Sequence, residues 1–83
     1  MFYVYILYSS KLNRFYIGYS SNLENRICDH NSGISTFTSK ADDWELKYSE
    51  QFPTRELAMK REKEIKKKKS RSYLEWLINS SAG

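Results

Sequence analysis

The sequence is 83 residues long, with 40% hydrophobic and 29% charged residues, which favours one folded domain over residues 1–83 and excludes a disordered chain. The net charge of +4 is uneven: residues 55–71 contain nine Lys or Arg and three Glu, a local net charge of +6, so the remainder carries −2. A local cationic segment favours a polyanionic partner such as nucleic acid, with a solvated helix face as the alternative.

Cysteine usage and the N-terminal segment indicate a compartment. Cys28 is the single cysteine, which excludes an intrachain disulfide and a zinc cage of cysteines and agrees with a reducing compartment. The N-terminal segment MFYVYILYSS has no basic region, and its apolar run is too short to span a bilayer. We therefore expect a soluble, cytoplasmic protein with no membrane partner.

The first predicted element is a β-hairpin. Strands are predicted at Phe2–Ser9 and Arg14–Ser20, because both are rich in aromatic and β-branched residues and the SKLN between them is short and polar. Alternation places Tyr5 on one face of the first strand, and Tyr16 and Gly18 together on one face of the second. A glycine within a strand indicates that a substrate or another part of the chain comes close there.

The next element is a short amphipathic helix. Ser20 or Ser21 is predicted to cap it, the segment LENRICDHN forms it, and Gly33 ends it. Its residues at i, i+3, i+4 and i+7 are Leu23, Arg26, Ile27 and His30. One face is therefore expected to carry a guanidinium and an imidazole beside two apolar side chains, with a polar loop from residue 33 to 43 following.

The second half of the chain predicts a strand and two helices. The third strand is marked by Trp44, Leu46, Tyr48 and Phe52, which alternate with Glu45, Lys47 and Ser49, so Trp44, Leu46 and Tyr48 are expected on one face. Thr54 is the predicted cap of a helix whose inner stripe contains Leu57, Ala58, Arg61 or Glu62, and Ile65. A final helix is predicted to complete the core with Tyr73, Leu74, Trp76, Leu77 and Ile78. The fold class is α+β, a three-stranded antiparallel sheet flanked by helices in the order ββαβαα.

Glu62 is unusual because a carboxylate on an inner helix stripe is costly unless it is paired or binds a metal ion. Periodicity leaves two alternatives for it. One is an ion pair with Arg26 or with a lysine of its own helix, and the other is a metal ligand.

Four motifs in order resemble the GIY-YIG endonuclease superfamily, and in particular its small stand-alone, excinuclease-like branch. VYI at residues 4–6 and YIG at residues 16–18 resemble its paired strand motifs. LENRICDHNSG resembles the motif with an arginine and, one helical turn later, a histidine, and TRELAMKREKEIKK resembles the metal-site helix, with Ala58 four residues before Glu62. Val4 departs from the pattern, since it stands where the first motif has its glycine.

The resemblance implies a divalent-metal-dependent endonuclease that hydrolyses DNA phosphodiester bonds, with structured or damaged DNA and DNA repair as the expected setting. It implies one Mg²⁺ or Mn²⁺ ion held by Glu62, a phosphate clamp by Arg26, and a general base that is either Tyr5 or His30, with Tyr16 bonding the water or the phosphate. The expected substrate-binding residues are Gly18, Lys66, Lys67, Lys68, Lys69 and Arg71.

Two other functions stay open from the sequence. One is a catalytically weak or inactive module that binds nucleic acid or a partner protein, and the other is a membrane-surface binder, which the lack of apolar anchors beside the lysines disfavours. DNA is expected rather than RNA. A partner protein is a candidate source of specificity, because no segment resembles a base-reading helix.

Overall fold

The architecture is a three-stranded antiparallel sheet with helices on both faces. A computed structural model of the protein describes residues 1–31, 42–68 and 70–81. The elements are β1 Phe2–Ser9, β2 Arg14–Ser20, α1 Leu23–Asn31, β3 Glu45–Phe52, α2 Arg55–Lys68 and α3 Arg71–Ser81. The sheet order is β2-β1-β3, so the predicted fold class and the order ββαβαα are confirmed. Gly33 and Lys69 lie outside the described residues, and no helix within those residues is long and apolar enough to cross a membrane.

The central strand β1 is buried on both faces, and each face has its own core. On one face Val4 and Ile6 pack with residues of α2 and α3, namely Ala58, Ile65, Leu74 and Leu77. On the other face Tyr5 and Leu7 pack with Trp44 and, more peripherally, with Leu12, Tyr16, Leu23 and Ile27. The alternation predicted for β1 therefore separates a core whose fully buried side chains are all aliphatic from one that buries a phenol and an indole.

A bulge in β3 corrects the face predicted for Trp44. In the pairing of β1 with β3, Ile6 faces Tyr48 but Leu7 faces Leu46, so one extra residue is inserted on β3. An extra residue moves the side chains before it to the opposite face. Trp44, which directly precedes the strand, thus packs beside Tyr5, whereas Tyr48 packs against the core of Val4 and Ile6. Leu46 is 41% exposed.

The cap of α1 differs from the prediction. The side chain of Asn22, not of Ser20 or Ser21, accepts the backbone N–H of Asn25 at 3.1 Å. Ser20 acts one step earlier, because its hydroxyl accepts the backbone N–H of Asn22 at 3.0 Å and so holds the cap residue in place. Three polar residues in succession left the sequence pattern unable to distinguish among them.

The helices α2 and α3 are partly as predicted. Thr54 caps α2, since its Oγ1 accepts the backbone N–H of Leu57 at 3.3 Å. Leu57 is 45% exposed and Trp76 is 60% exposed, so both predicted core assignments are wrong. The buried stripe of each helix is narrower than predicted, because only the side chains that face the sheet are buried.

A polar contact joins α2 to β3 beside this core. Arg61 donates to the Glu50 carboxylate at 2.8 Å, and Tyr48 donates to the same carboxylate. Burial, reinforced by this neighbouring carboxylate, raises the pKa of Tyr48 to about 12. Arg61 thus occupies the flank of the inner stripe as half of an ion pair.

We expect Ile65→Ala and Leu57→Ala to differ sharply although both shorten an aliphatic side chain on α2. Ile65 is 1% exposed, so its truncation should lower the free energy of unfolding by about 2–5 kcal/mol. Leu57→Ala should change it by no more than about 0.5 kcal/mol. Urea unfolding of both variants tests the assignment, and equal losses would contradict the orientation of α2.

Candidate active site

The first feature of the site is the packing of the Tyr5 side chain over Gly18. Tyr5 lies on β1 and is paired with Gly18 on β2. A Cβ added at Gly18 would lie 2.7 Å from the hydroxyl oxygen of Tyr5 and 3.1 Å from a ring carbon of Tyr16. The predicted close approach at Gly18 is therefore made by the protein's own tyrosines. Gly18 is required because any side chain there would displace Tyr5.

The hydroxyl of Tyr5 faces two residues of α1. It lies 3.0 Å from Nε2 of His30, and the guanidinium of Arg26 is close enough to act on the pKa of Tyr5 in the lowering direction. Arg26 and His30 are one helical turn apart, so both point from α1 toward β1. Tyr5 is 1% exposed and His30 is 0% exposed, which makes this a hydrogen-bonded group enclosed between the sheet and α1.

Burial determines the protonation state of this group. Desolvation raises the pKa of Tyr5, and the positive charge of Arg26 only partly opposes this. Desolvation also lowers the pKa of His30, as does the charge of Arg26, while Asp29 acts in the opposite direction. Near pH 7 Tyr5 is therefore a neutral phenol and His30 a neutral imidazole, so one nitrogen of the ring can accept a proton.

Tyr16 forms the half-buried wall of the same site. Its ring centroid is 6.3 Å from that of Tyr5 and 4.7 Å from that of His30. The indole of Trp44 packs edge-on against it, at 6.4 Å between centroids. Three aromatic rings therefore fix the position of Tyr16, which is more accessible to solvent than Tyr5.

Glu62 lies on α2. Its negative charge is the smallest of the influences that raise the pKa of Tyr5, after burial and the neighbouring Tyr16. Its ion-pair partner is Lys66 on the same helix, at 3.4 Å, and not Arg26, which lies 3.9 Å from Asp29. Of the two pairings predicted for Glu62, the structure contains the one with a lysine of its own helix.

The cationic residues divide into two groups. Lys66, Lys67 and Lys68 are exposed in the last turn of α2, while Lys69 lies outside the described residues. Arg71 makes contacts within the protein: its guanidinium donates to the carbonyl and side-chain oxygens of Asn13, at 3.2 and 2.7 Å, and pairs with Glu75. Asn13 occupies the left-handed region at φ 52°, so Arg71 holds the hairpin turn.

Sequence reasoning missed the residues that close the site from the side of β3. The side chain of Asn31 accepts the backbone N–H of Trp44 at 2.7 Å and donates to its carbonyl at 3.0 Å. Asp43 accepts the hydroxyl of the buried Ser9 at 2.6 Å and the backbone N–H of Lys11 at 3.0 Å. Asn31 directly follows His30 in the sequence, and this position is the feature by which sequence reasoning could have identified it.

Val4, which stands where the first motif has its glycine, is not part of the group of Tyr5, Tyr16 and His30. It is 0% exposed and belongs to the apolar core on the opposite face of β1 from Tyr5. A valine there contributes buried apolar area and leaves the positions of the site residues unchanged.

Comparisons with known proteins agree with the motifs. A family model described as the GIY-YIG catalytic domain matches residues 1–75. A UPF0213 protein of Natronomonas pharaonis is 37% identical over 82 residues, covering 98% of this chain and 94% of that protein, and one of Staphylococcus haemolyticus is 43% identical over 65 residues, covering 77% and 78%. The solution NMR structure of a UPF0213 protein from Bacillus halodurans matches with a TM-score of 0.61 and 34% identity, over 100% of this chain and 88% of that one.

We expect Gly18→Ala to lower the free energy of unfolding by about 1–3 kcal/mol, because the new methyl group forces Tyr5 away from β2. The same substitution in a Tyr5→Leu background should cost much less, since the phenol that collides with it is gone. A double-mutant cycle by urea unfolding measures the difference. Equal costs in both backgrounds would show that the contact with Tyr5 is not the reason for the glycine.

The pKa of His30 gives a pH dependence of defined sign. The unfolded chain binds a proton at this histidine near 6.5, and the native protein does so only at lower pH, so protonation favours unfolding. The stabilising contribution of neutral His30 is present above about pH 6.5 and is lost as the pH falls from there toward the native pKa.

His30 is the single histidine of the chain, which makes this measurable by NMR titration of one imidazole. The difference in unfolding free energy between wild type and His30→Gln should be constant above about pH 7 and change below 6.5. A titration midpoint at or above 6.5 in the native protein would contradict it.

Proposed function

This chain belongs to the GIY-YIG catalytic domain family, and we propose that it is an endonuclease that hydrolyses DNA phosphodiester bonds with the help of one divalent metal ion. The observation that supports this most is the enclosed hydrogen bond between Tyr5 and His30. Groups from β1 and α1 that are separate in sequence thereby come together, and Arg26 and Glu62 are proposed to complete the site with them.

The donor set fits a hard, hydrated cation. Within residues 1–31, 42–68 and 70–81, no three His, Cys, Asp or Glu side chains cluster closely enough to hold an ion by themselves. Glu62, with its side chain 16% exposed, is therefore proposed as the one protein ligand, with water and substrate oxygens completing the shell. Mg²⁺ is commonly bound in this way, through one or two carboxylates, and Mn²⁺ accepts the same oxygen ligands. Bound there, the ion would supply charge neutralisation at the phosphate.

Arg26 is proposed to contact the scissile phosphate. Its side chain is 37% exposed and lies 3.9 Å from the Asp29 carboxylate, so part of the guanidinium faces solvent, where an anion can bind it. An arginine held in this way gains most when charge builds up on the phosphate in the transition state. Tyr16, fixed by three rings, is proposed to hydrogen-bond the attacking water or a phosphate oxygen.

The two candidate bases, Tyr5 and His30, are better described as one unit. His30 is completely enclosed and hydrogen-bonded to Tyr5, so a proton from water is proposed to reach it through the phenol. Neutral His30 can accept the Tyr5 proton at Nε2, and the nearby guanidinium of Arg26, which carries donors only, does not compete for that proton. Loss of that proton to the imidazole is how a phenol with a raised pKa could act near pH 7.

The exposed lysines are proposed to hold flanking phosphates. Lys66, Lys67 and Lys68 offer point charges, which position a nucleic acid without reading its sequence. Structured or damaged DNA is the proposed substrate, since selectivity would then come from shape or from a partner protein. Arg71, committed to Asn13 and Glu75, is a weaker candidate for this role than the lysines.

The alternative function is a nucleic-acid-binding or partner-binding module without useful catalysis. The observation that favours it is the enclosure of Tyr5 and His30, which a reacting water must enter. The two functions differ in the effect of one substitution on α2.

We expect Glu62→Gln to abolish metal-dependent cleavage while leaving DNA affinity unchanged or slightly higher, because a negative charge near the phosphate is removed. Stability should change by less than about 1 kcal/mol, since the ion pair with Lys66 is a partly exposed pair within one helix. Glu64→Gln removes an exposed carboxylate from the same helix and is the matched control, expected to cleave like wild type.

Cleavage of branched, nicked and single-stranded DNA in Mg²⁺, Mn²⁺ or EDTA, together with thermal unfolding, is the measurement. Normal cleavage per folded molecule by Glu62→Gln would refute the metal role. Binding without cleavage by the wild type would favour the alternative.

A further inference from the structure

The most exposed aromatic side chain among the described residues lies on α3, away from the tyrosine cluster. Trp76 is 60% exposed, although its helix neighbour Leu77 is 6% exposed and packs in the core. Its indole stacks on the half-buried ring of Tyr73, with 6.0 Å between centroids and 28° between planes. We refer to Tyr73 and Trp76 as the aromatic ledge. The exposed indole and the ring stacked against it present a flat aromatic surface to an external ligand.

Positive charge borders the aromatic ledge. The ammonium of Lys68 lies over the Tyr73 ring, 5.6 Å from its centroid. Lys66 and Lys67 are exposed in the same last turn of α2. The ledge is thus an aromatic surface next to a dense group of cations.

We propose that the aromatic ledge binds unpaired bases of a single-stranded nucleic acid whose phosphates contact the lysines of the last turn of α2. A single strand offers flat π-faces spaced along a chain of negative charges, which is the complement of stacked aromatic rings beside cations. An apolar protein surface would have to desolvate Lys67 and Lys68 without compensation, which disfavours a protein partner. The double helix is also disfavoured, because its bases are stacked inside and present no face to an indole.

The position of the ledge relative to Glu62 suggests what this binding serves. Lys68 follows Glu62 by six residues, about 9 Å along the axis of α2, and lies on the flank toward α3. An unpaired strand that leaves the cleft over the end of α2 would reach the ledge. This part of the inference rests on the proposed endonuclease function and narrows its substrate to DNA with a single-stranded flap, gap or overhang.

Tryptophan fluorescence tests the ledge directly, because the chain has two tryptophans and Trp44 is only 4% exposed. Addition of an oligothymidylate in EDTA, which prevents metal-dependent cleavage, should quench the emission of wild type. Trp76→Phe should lose most of this signal but keep part of the affinity, since phenylalanine still stacks.

Affinity measurements with variants complete the test. Trp76→Ala should weaken oligothymidylate binding by about 5-fold to 150-fold at unchanged salt dependence, and should leave binding of a closed-end duplex unchanged. Leu57→Ala, which removes another exposed apolar side chain, is the control and should bind like wild type. Replacing Lys67 and Lys68 by alanine should instead reduce the slope of log K against log[salt] by about 1.4.

Oligothymidylate affinity within two-fold of wild type for Trp76→Ala would overturn the proposal. So would a wild-type dimer that Trp76→Ala converts to a monomer in sedimentation, since the ledge would then be a contact between copies of this chain. These readouts need no cleavage. If oligothymidylate quenches the emission but the protein shows no nuclease activity, the proposed endonuclease function is wrong, whereas the proposal that the aromatic ledge binds single-stranded nucleic acid stands.

Discussion

The hydrogen bond between Tyr5 and His30 is the contact on which the rest of this site depends. It joins the central strand to α1 at a place that solvent does not reach, so water cannot replace the bond if it breaks. The bond forms only because Gly18 leaves room for the phenol above β2. One missing side chain on an edge strand thereby determines the position of α1 and, through it, of Arg26.

The return of the chain toward β3 is fixed by side chains that bond to backbone. Asn31 satisfies both backbone groups of Trp44, and Asp43 bonds to Ser9 and to the turn between β1 and β2. These contacts place the indole of Trp44 against Tyr16 without any pairing of Trp44 in the sheet. The bulge in β3 is compatible with this placement, because it allows Trp44 and Tyr48 to face opposite sides.

The helix α2 has one buried side and charged residues on its other sides. Ala58 and Ile65 form the buried stripe, Glu62 pairs with Lys66, Arg61 pairs with Glu50 of β3, and Lys68 lies over Tyr73 of α3. Such a division is economical in a small chain, where few elements are available to build a core and a site. It also explains why the inner stripe is narrow, since each flank carries charged residues that need access to solvent or to an ion-pair partner.

The sequence by itself determined both strands of the hairpin, the order ββαβαα, the face of each β1 residue, and the family, because alternation, helical spacing and short motifs are local properties. Helical spacing also selected Arg26, His30 and Glu62 as chemically unusual residues, and the resemblance to the family selected Tyr5. Only the tertiary structure decided that Asn22 caps α1, that Trp44 joins the tyrosines, that Lys66 pairs with Glu62, and that Leu57 and Trp76 face solvent. Each of these depends on which neighbour comes close when the sheet and helices pack, and a bulge of one residue is enough to reverse a face that period-two reasoning assigns.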